Sequence, residues 1–199
     1  MKKTNITLLI ITLFITGCAS LTPTRETTEG YKVYDIKDSS NVSSMVNNLK
    51  SAIQKNAGKA RFTNDIPPYP LPKTPGRFKM VSPFARNSNI SAYMSAHGKS
   101  MKLPSCEQSI FSATSNDDFM GTENTTFFVC LLPYEGGHHM NIYYKFTKVS
   151  GGVSTQALGN AMAESMMGDS SQFIPRTIKA MEKAVKDSGG TLKLVESYP

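Results

Sequence analysis

The side chains in this chain with the widest chemical repertoire are three histidines, three cysteines and a few clustered carboxylates. Their spacing argues against most of what they could do. His138 and His139 are adjacent, with Glu135 three positions before the first. Successive side chains on an extended strand point to opposite faces, so the two imidazoles cannot easily share one ion. A zinc site needs three or four donors, and no further ligand is spaced to complete a set that includes Glu135. Asp117, Asp118 and Glu123 form an acidic knot. Paired carboxylates perform acid–base work when their surroundings drive their pKa values apart. Here Asn116 and Gly121 sit among them, which suits a turn. Met162, Met166 and Met181 fall on apolar helical faces, where methionine fills a core. There is no G-x-S-x-G, no C-x-x-C, and Gly151-Gly152 lacks the pattern of a phosphate cradle. The sequence therefore yields no catalytic residue and no metal ligand set, and calls for no cofactor.

Charge is the stronger signal. Residues 50–105 carry ten basic side chains, among them Arg77, Lys79, Arg86, Lys99 and Lys102, against Asp65 alone. Tyr69, Phe78, Phe84 and Tyr93 are interleaved with them. Such a segment is either a solvated face balanced by the more acidic C-terminal part, or a surface for an anionic or protein partner. The five prolines of residues 63–76 make the same stretch irregular or polyproline-like.

The elements that would position these residues can be read from periodicity. Tyr31 to Ile36 alternates as a strand. Val42, Met45, Val46, Leu49 and Ile53 recur at helical spacing behind a cap at Ser39, Ser40 or Asn41, and Gly58 closes that helix. Arg77 to Phe84 reads as a short strand and Ser88 to His97 as a turn or two of helix. Strands are expected over 107–114, 124–132 and 138–147, the last two joined by a turn at residues 133–137. A small-residue helix follows Ser154. Another carries Ile174, Ile178, Met181 and Val185 inward, with Pro175 in its first turn and Gly189 past its end. Thr191 to Glu196 is a final strand. Together these predict an α+β domain: an antiparallel sheet of about four to six strands with two to three helices packed on one face.

Cys106 and Cys130 remain for a disulfide. Bonded across neighbouring antiparallel strands, they set a register in which paired positions sum to 236. The reversal then centres on Asp118, with Ile110 facing Thr126 and Gln108 facing Phe128.

The N-terminus carries an address. Met1-Lys2-Lys3 is basic, Ile6 to Ile15 is an almost unbroken apolar run, and Thr16-Gly17 are small. This is the layout of a secretory signal, and the run is too short to span roughly 30 Å of hydrocarbon. Ile15-Thr16-Gly17-Cys18 resembles the lipobox of bacterial lipoproteins. The resemblance implies cleavage before Cys18, acylation of that cysteine by palmitate-type chains, and anchoring by two or more of them. Ala19 in place of aspartate points to the outer membrane, with the chain facing the periplasm. Residues 1–17 are then signal, 18–30 a lipidated polar tether, and 31–199 a single periplasmic domain. The formal charge of +7 falls to +5 once Lys2 and Lys3 leave. An exported chain in which disulfides form meets membrane, anionic envelope components and partner proteins rather than nucleic acid. A non-enzymatic binding or assembly module is the expectation, and an envelope enzyme acting on cell-wall or lipid substrates the alternative.

Overall fold

Alternation along a few long strands dictates the architecture of the computed structural model, which describes residues 24–38, 41–57, 59–84, 88–96, 102–119, 123–150 and 173–199. The signal segment, Cys18, Arg86, His97, Lys99 and the helix expected after Ser154 lie outside the described residues. In chain order the elements are β1 (Thr24–Lys37), α1 (Val42–Asn56), β2 (Arg61–Asn64), β3 (Lys79–Val81), α2 (Ser88–Ala96), β4 (Leu103–Ser105), β5 (Phe111–Phe119), β6 (Glu123–Tyr134), β7 (Gly137–Ser150), α3 (Phe173–Asp187) and β8 (Thr191–Tyr198). Six strands form one antiparallel sheet in the order β2-β5-β6-β7-β1-β8, and β3 pairs with β4 in a second. The fold is α+β, as the periodicity predicts.

Each long strand sends alternate residues to two different clusters. Phe127, Val129 and Leu131 of β6, Met140 and Ile142 of β7, and Tyr34 and Ile36 of β1 face α1 and α3. Met45, Leu49 and Ile53 of α1 close over them, with Ile178, Met181 and Val185 of α3. Truncating a fully buried residue such as Met181 to alanine costs about 2–5 kcal/mol. Asn41 caps α1 by accepting the Ser44 amide at 2.9 Å, and Asn48 donates to Ser188 at 2.9 Å, joining α1 to the end of α3. Gly189, at φ +81°, supplies the left-handed turn that ends α3. The opposite face gathers Phe128, Cys130, Leu132 and Tyr143 with Phe78, Met80 and Cys106. Helix α2 contributes no described residue to either cluster.

Four expectations are corrected. The tether of residues 18–30 overlaps β1, because Thr24 to Gly30 ladder against β7. Its composition reads as tether because Thr24 to Glu29 are all exposed on the strand. The acidic knot is no turn: Asp117 and Asp118 are strand residues facing Thr125 and Asn124, and the reversal follows Phe119. Cys130 stands opposite Ser112, not Cys106, so the ladder register sums to 242. The disulfide nevertheless exists, with Cα atoms 6.4 Å apart. Cys106 lies between β4 and β5, outside the ladder, which is why the bond does not fix the register. Finally, the irregular stretch expected over residues 63–76 begins inside β2, a four-residue edge strand too short to show alternation, held where Phe62 stacks on Phe111 at 6.1 Å.

Candidate binding surface

On the second face of the sheet the described packing partners, Phe78, Met80 and Cys106, come from non-helical chain. Proline lacks an amide donor, so residues 65–78 stay out of the ladders. They lie over the strands and are pinned at intervals. The Glu135 amide donates to the Pro72 carbonyl at 3.0 Å. Gly76 passes so close to Leu132 that a Cβ there would lie 3.2 Å from its methyl. The Phe78 ring meets Tyr31 edge-on at 5.7 Å and Tyr143 at 5.9 Å. The Cys106–Cys130 bond fastens the approach to β5 onto β6. Upstream, Ile66 and Tyr69 stand 90% and 98% exposed, and the backbone there includes a cis Tyr69–Pro70 bond.

Beneath the Gly76 end lies a polar network. The two-residue turn Glu135-Gly136 brings Tyr134 opposite Gly137 and over β1. Tyr134 donates to Asp35 Oδ1 at 2.7 Å. Lys37 Nζ lies 3.4 Å from Asp35 Oδ2, donates to the Tyr134 hydroxyl and donates to the Gly136 carbonyl at 2.5 Å. His139 Nε2 is 3.8 Å from Asp35 Oδ1. Burial pushes the Asp35 carboxyl up, but the hydrogen bonds from Tyr134 and Lys37 together hold it below its ordinary range. Burial pushes His139 down, against the pull of Asp35, and so favours neutral imidazole. An aspartate beside a neutral histidine has the makings of a base. His139, however, is only 8% exposed under the Tyr134 ring, and Asp35 already accepts from two donors. Next on the same face of β7 is Asn141, wholly buried. Neither its side-chain nitrogen nor its oxygen, nor His139 Nδ1, has a hydrogen-bond partner among the described residues.

At the other end, Arg77 pairs with Glu196 of β8, and Tyr31 donates to the same carboxylate at 2.5 Å. Those two donors hold Glu196 at about 2. Beyond them opens a cleft of about 650 Å³ walled by Tyr31, Phe78, Met80, Tyr143 and Tyr198, with Thr27, Thr28 and Glu29 at its lip. Tyr31 and Tyr198 stack at 6.0 Å, so three ring contacts run from Tyr198 through Tyr31 and Phe78 to Tyr143. Tyr143 is hydrogen-bonded to Glu29, and burial with that bond pushes its phenol upward. Such a cleft offers ring faces and a carboxylate.

The residues singled out in the sequence do not converge. Arg77 is engaged by Glu196, and Lys79 reaches Glu107 at 3.5 Å across an exposed pair; Lys102 is exposed. The basic segment is thus partly balanced by acidic partners from the C-terminal half. His138 and His139 fall on opposite faces of β7, as alternation requires, and Glu135 sits at the hairpin tip. Among the described residues no three His, Cys, Asp or Glu side chains stand close enough to hold a metal ion. No described helix is long and apolar enough to cross a membrane. Sequence reasoning missed the cleft's Tyr31 and Tyr198 and the network's Asp35 and Tyr134. The usable signal was the alternation Tyr31, Val33, Asp35, Lys37, which places an aromatic and two charges on one strand face. No family model and no curated protein matches the sequence.

Proposed function

We propose that this chain is a lipid-anchored protein of the bacterial envelope, most consistent with the outer membrane, that acts by binding a partner protein. The second face of its sheet is the binding surface. The lipobox resemblance at Cys18 supports the anchor. The observation that carries the binding role is the aromatic cleft: tyrosine is enriched among residues that dominate interface energetics, and Tyr198 keeps 61% of its surface in solvent. The polar network supports the same reading, since its one histidine and its aspartate are buried or occupied.

The test uses the full lipidated chain in its own membrane, with a photoreactive side chain in place of Tyr198 and, as control, in place of Lys183 on the exposed side of α3. A discrete adduct at 198 that disappears with Phe78→Ser, and is absent at 183, is the expected result. Equal labelling at both positions, or labelling at 198 that ignores Phe78→Ser, rejects the cleft as the binding surface.

A further inference from the structure

We propose that a second cavity, on the helical face of the sheet, binds one fatty-acid chain with its carboxylate between Lys32 and Lys179. The cavity holds about 600 Å³ between α3 and strands β1 and β7, a volume within the usual range for small-molecule sites. Its walls are the side chains of Tyr144, Phe146, Ile174 and Ile178. Local sequence explains the space. Positions 28, 30 and 32 of β1 share this face. Gly30 has no side chain to fill it, and a Cβ there would lie 2.6 Å from the Tyr144 ring. Tyr144 therefore lies over the glycine instead of standing across the gap to α3.

The charges choose the ligand. Lys32 and Lys179 both line the cavity, and neither has an ion-pair partner among the described residues. Glu182, the side-chain carboxylate on the rim, accepts the Tyr34 hydroxyl at 2.5 Å and keeps its charge, so the two lysines leave the cavity's side chains net positive. Two ammonium groups, unpaired among the described residues, at the edge of an apolar hollow favour a single anionic head on a hydrocarbon tail over a cationic one. Each methylene buried adds roughly fourfold to affinity. The volume suits one chain rather than the two of a phospholipid. This site does not depend on the aromatic cleft's partner, although Thr28 and Pro199 line both hollows.

Full-length protein released from non-ionic detergent can be examined by native mass spectrometry with dodecanoate and, separately, dodecyltrimethylammonium. One dodecanoate per chain is expected, with at least tenfold weaker retention of the cation. The double variant K32Q/K179Q should lose at least tenfold in dodecanoate affinity. Pro175→Trp, at an exposed position in the first turn of α3 that lines this cavity and not the aromatic cleft, should block binding while leaving the native charge-state distribution intact. Equal binding of both amphiphiles, or dodecanoate binding untouched by Pro175→Trp in a folded protein, overturns the proposal.

Discussion

Tyr134 and Asp35 are 99 residues apart in the chain and share a 2.7 Å hydrogen bond, with the phenol donating to the carboxylate. It fastens the tip of the β6–β7 hairpin to β1, and Lys37 closes the third side. Tyr134→Phe keeps the ring over His139 and removes only the donor. It should cost about 1–2 kcal/mol at neutral pH and bring Asp35 nearer its ordinary range. Urea unfolding at pH 7 and pH 2 checks this. A loss undiminished at pH 2 would detach the effect from the carboxylate.

Acid should weaken the fold in two stages. His139 titrates below 6.5 when folded, because burial disfavours its charged form. The unfolded chain takes up that proton first, so stability present above about 6.5 declines as pH falls below it. Glu196, at about 2 against an ordinary 4.5, and Asp35, below an ordinary 3.8, add stability above those ordinary values that is lost on further acidification. Glu196→Gln should shrink the second stage, leaving the Asp35 contribution, and leave the first unchanged. Denaturant midpoints between pH 2 and 8 give the profile, and a first stage that moves with Glu196→Gln would contradict the assignment.

Reducing Cys106–Cys130 releases a loop of sequence separation 24. In the chain-entropy account this costs about 3 kcal/mol. The reduced protein should therefore unfold at lower urea, and mass measurement should show two new thiols. An unchanged midpoint would mean that β4 and the chain leading to β5 hold their place without the bond.

Asn141 is the most unusual core residue. It is fully buried, with both polar atoms unpartnered among the described residues. An unsatisfied buried polar group costs about 1–3 kcal/mol, so Asn141→Leu should raise stability by roughly that amount. Thermal and urea unfolding would show it. A destabilised variant would mean that the amide is satisfied in solution.

Cys18→Ala should abolish labelling by a palmitate analogue and leave the precursor uncut at its N-terminus. Alanine-variant protein labelled as strongly as wild type would reject the lipobox assignment and, with it, the anchor.

How much of this was legible in the sequence depended on whether a local pattern carried the information. Met45, Leu49 and Ile53, and Ile178, Met181 and Val185, announce two helices because one face of each is apolar. Met140 and Ile142 announce β7 and its inward side. The polar ends of strands were not legible: Thr24 to Glu29 and Asp117-Asp118 carry no apolar alternation, since a ladder binds their backbone whatever their side chains. The Cys106–Cys130 pairing was readable, but its register was not, because a bond from outside the ladder constrains distance and not alignment. The cleft was invisible for a similar reason. Tyr31, Phe78, Tyr143 and Tyr198 come from four separate segments, and only the tertiary path of the proline-rich chain brings them together.

β1 occupies the interior of the sheet, laddered to β7 from Thr24 to Ile36 and to β8 from Tyr31 to Lys37. Six positions separate Thr24 from Cys18. If Cys18 carries the proposed anchor, a pull on the domain reaches β1 from its Thr24 end and runs along the strand axis. Such a load shears two ladders lengthwise instead of peeling them one bond at a time. A slip of one residue would also turn Tyr34 and Ile36 away from the helices, so the sheet resists until whole registers give way together. The first strand of the chain is thus the one best placed to bear tension.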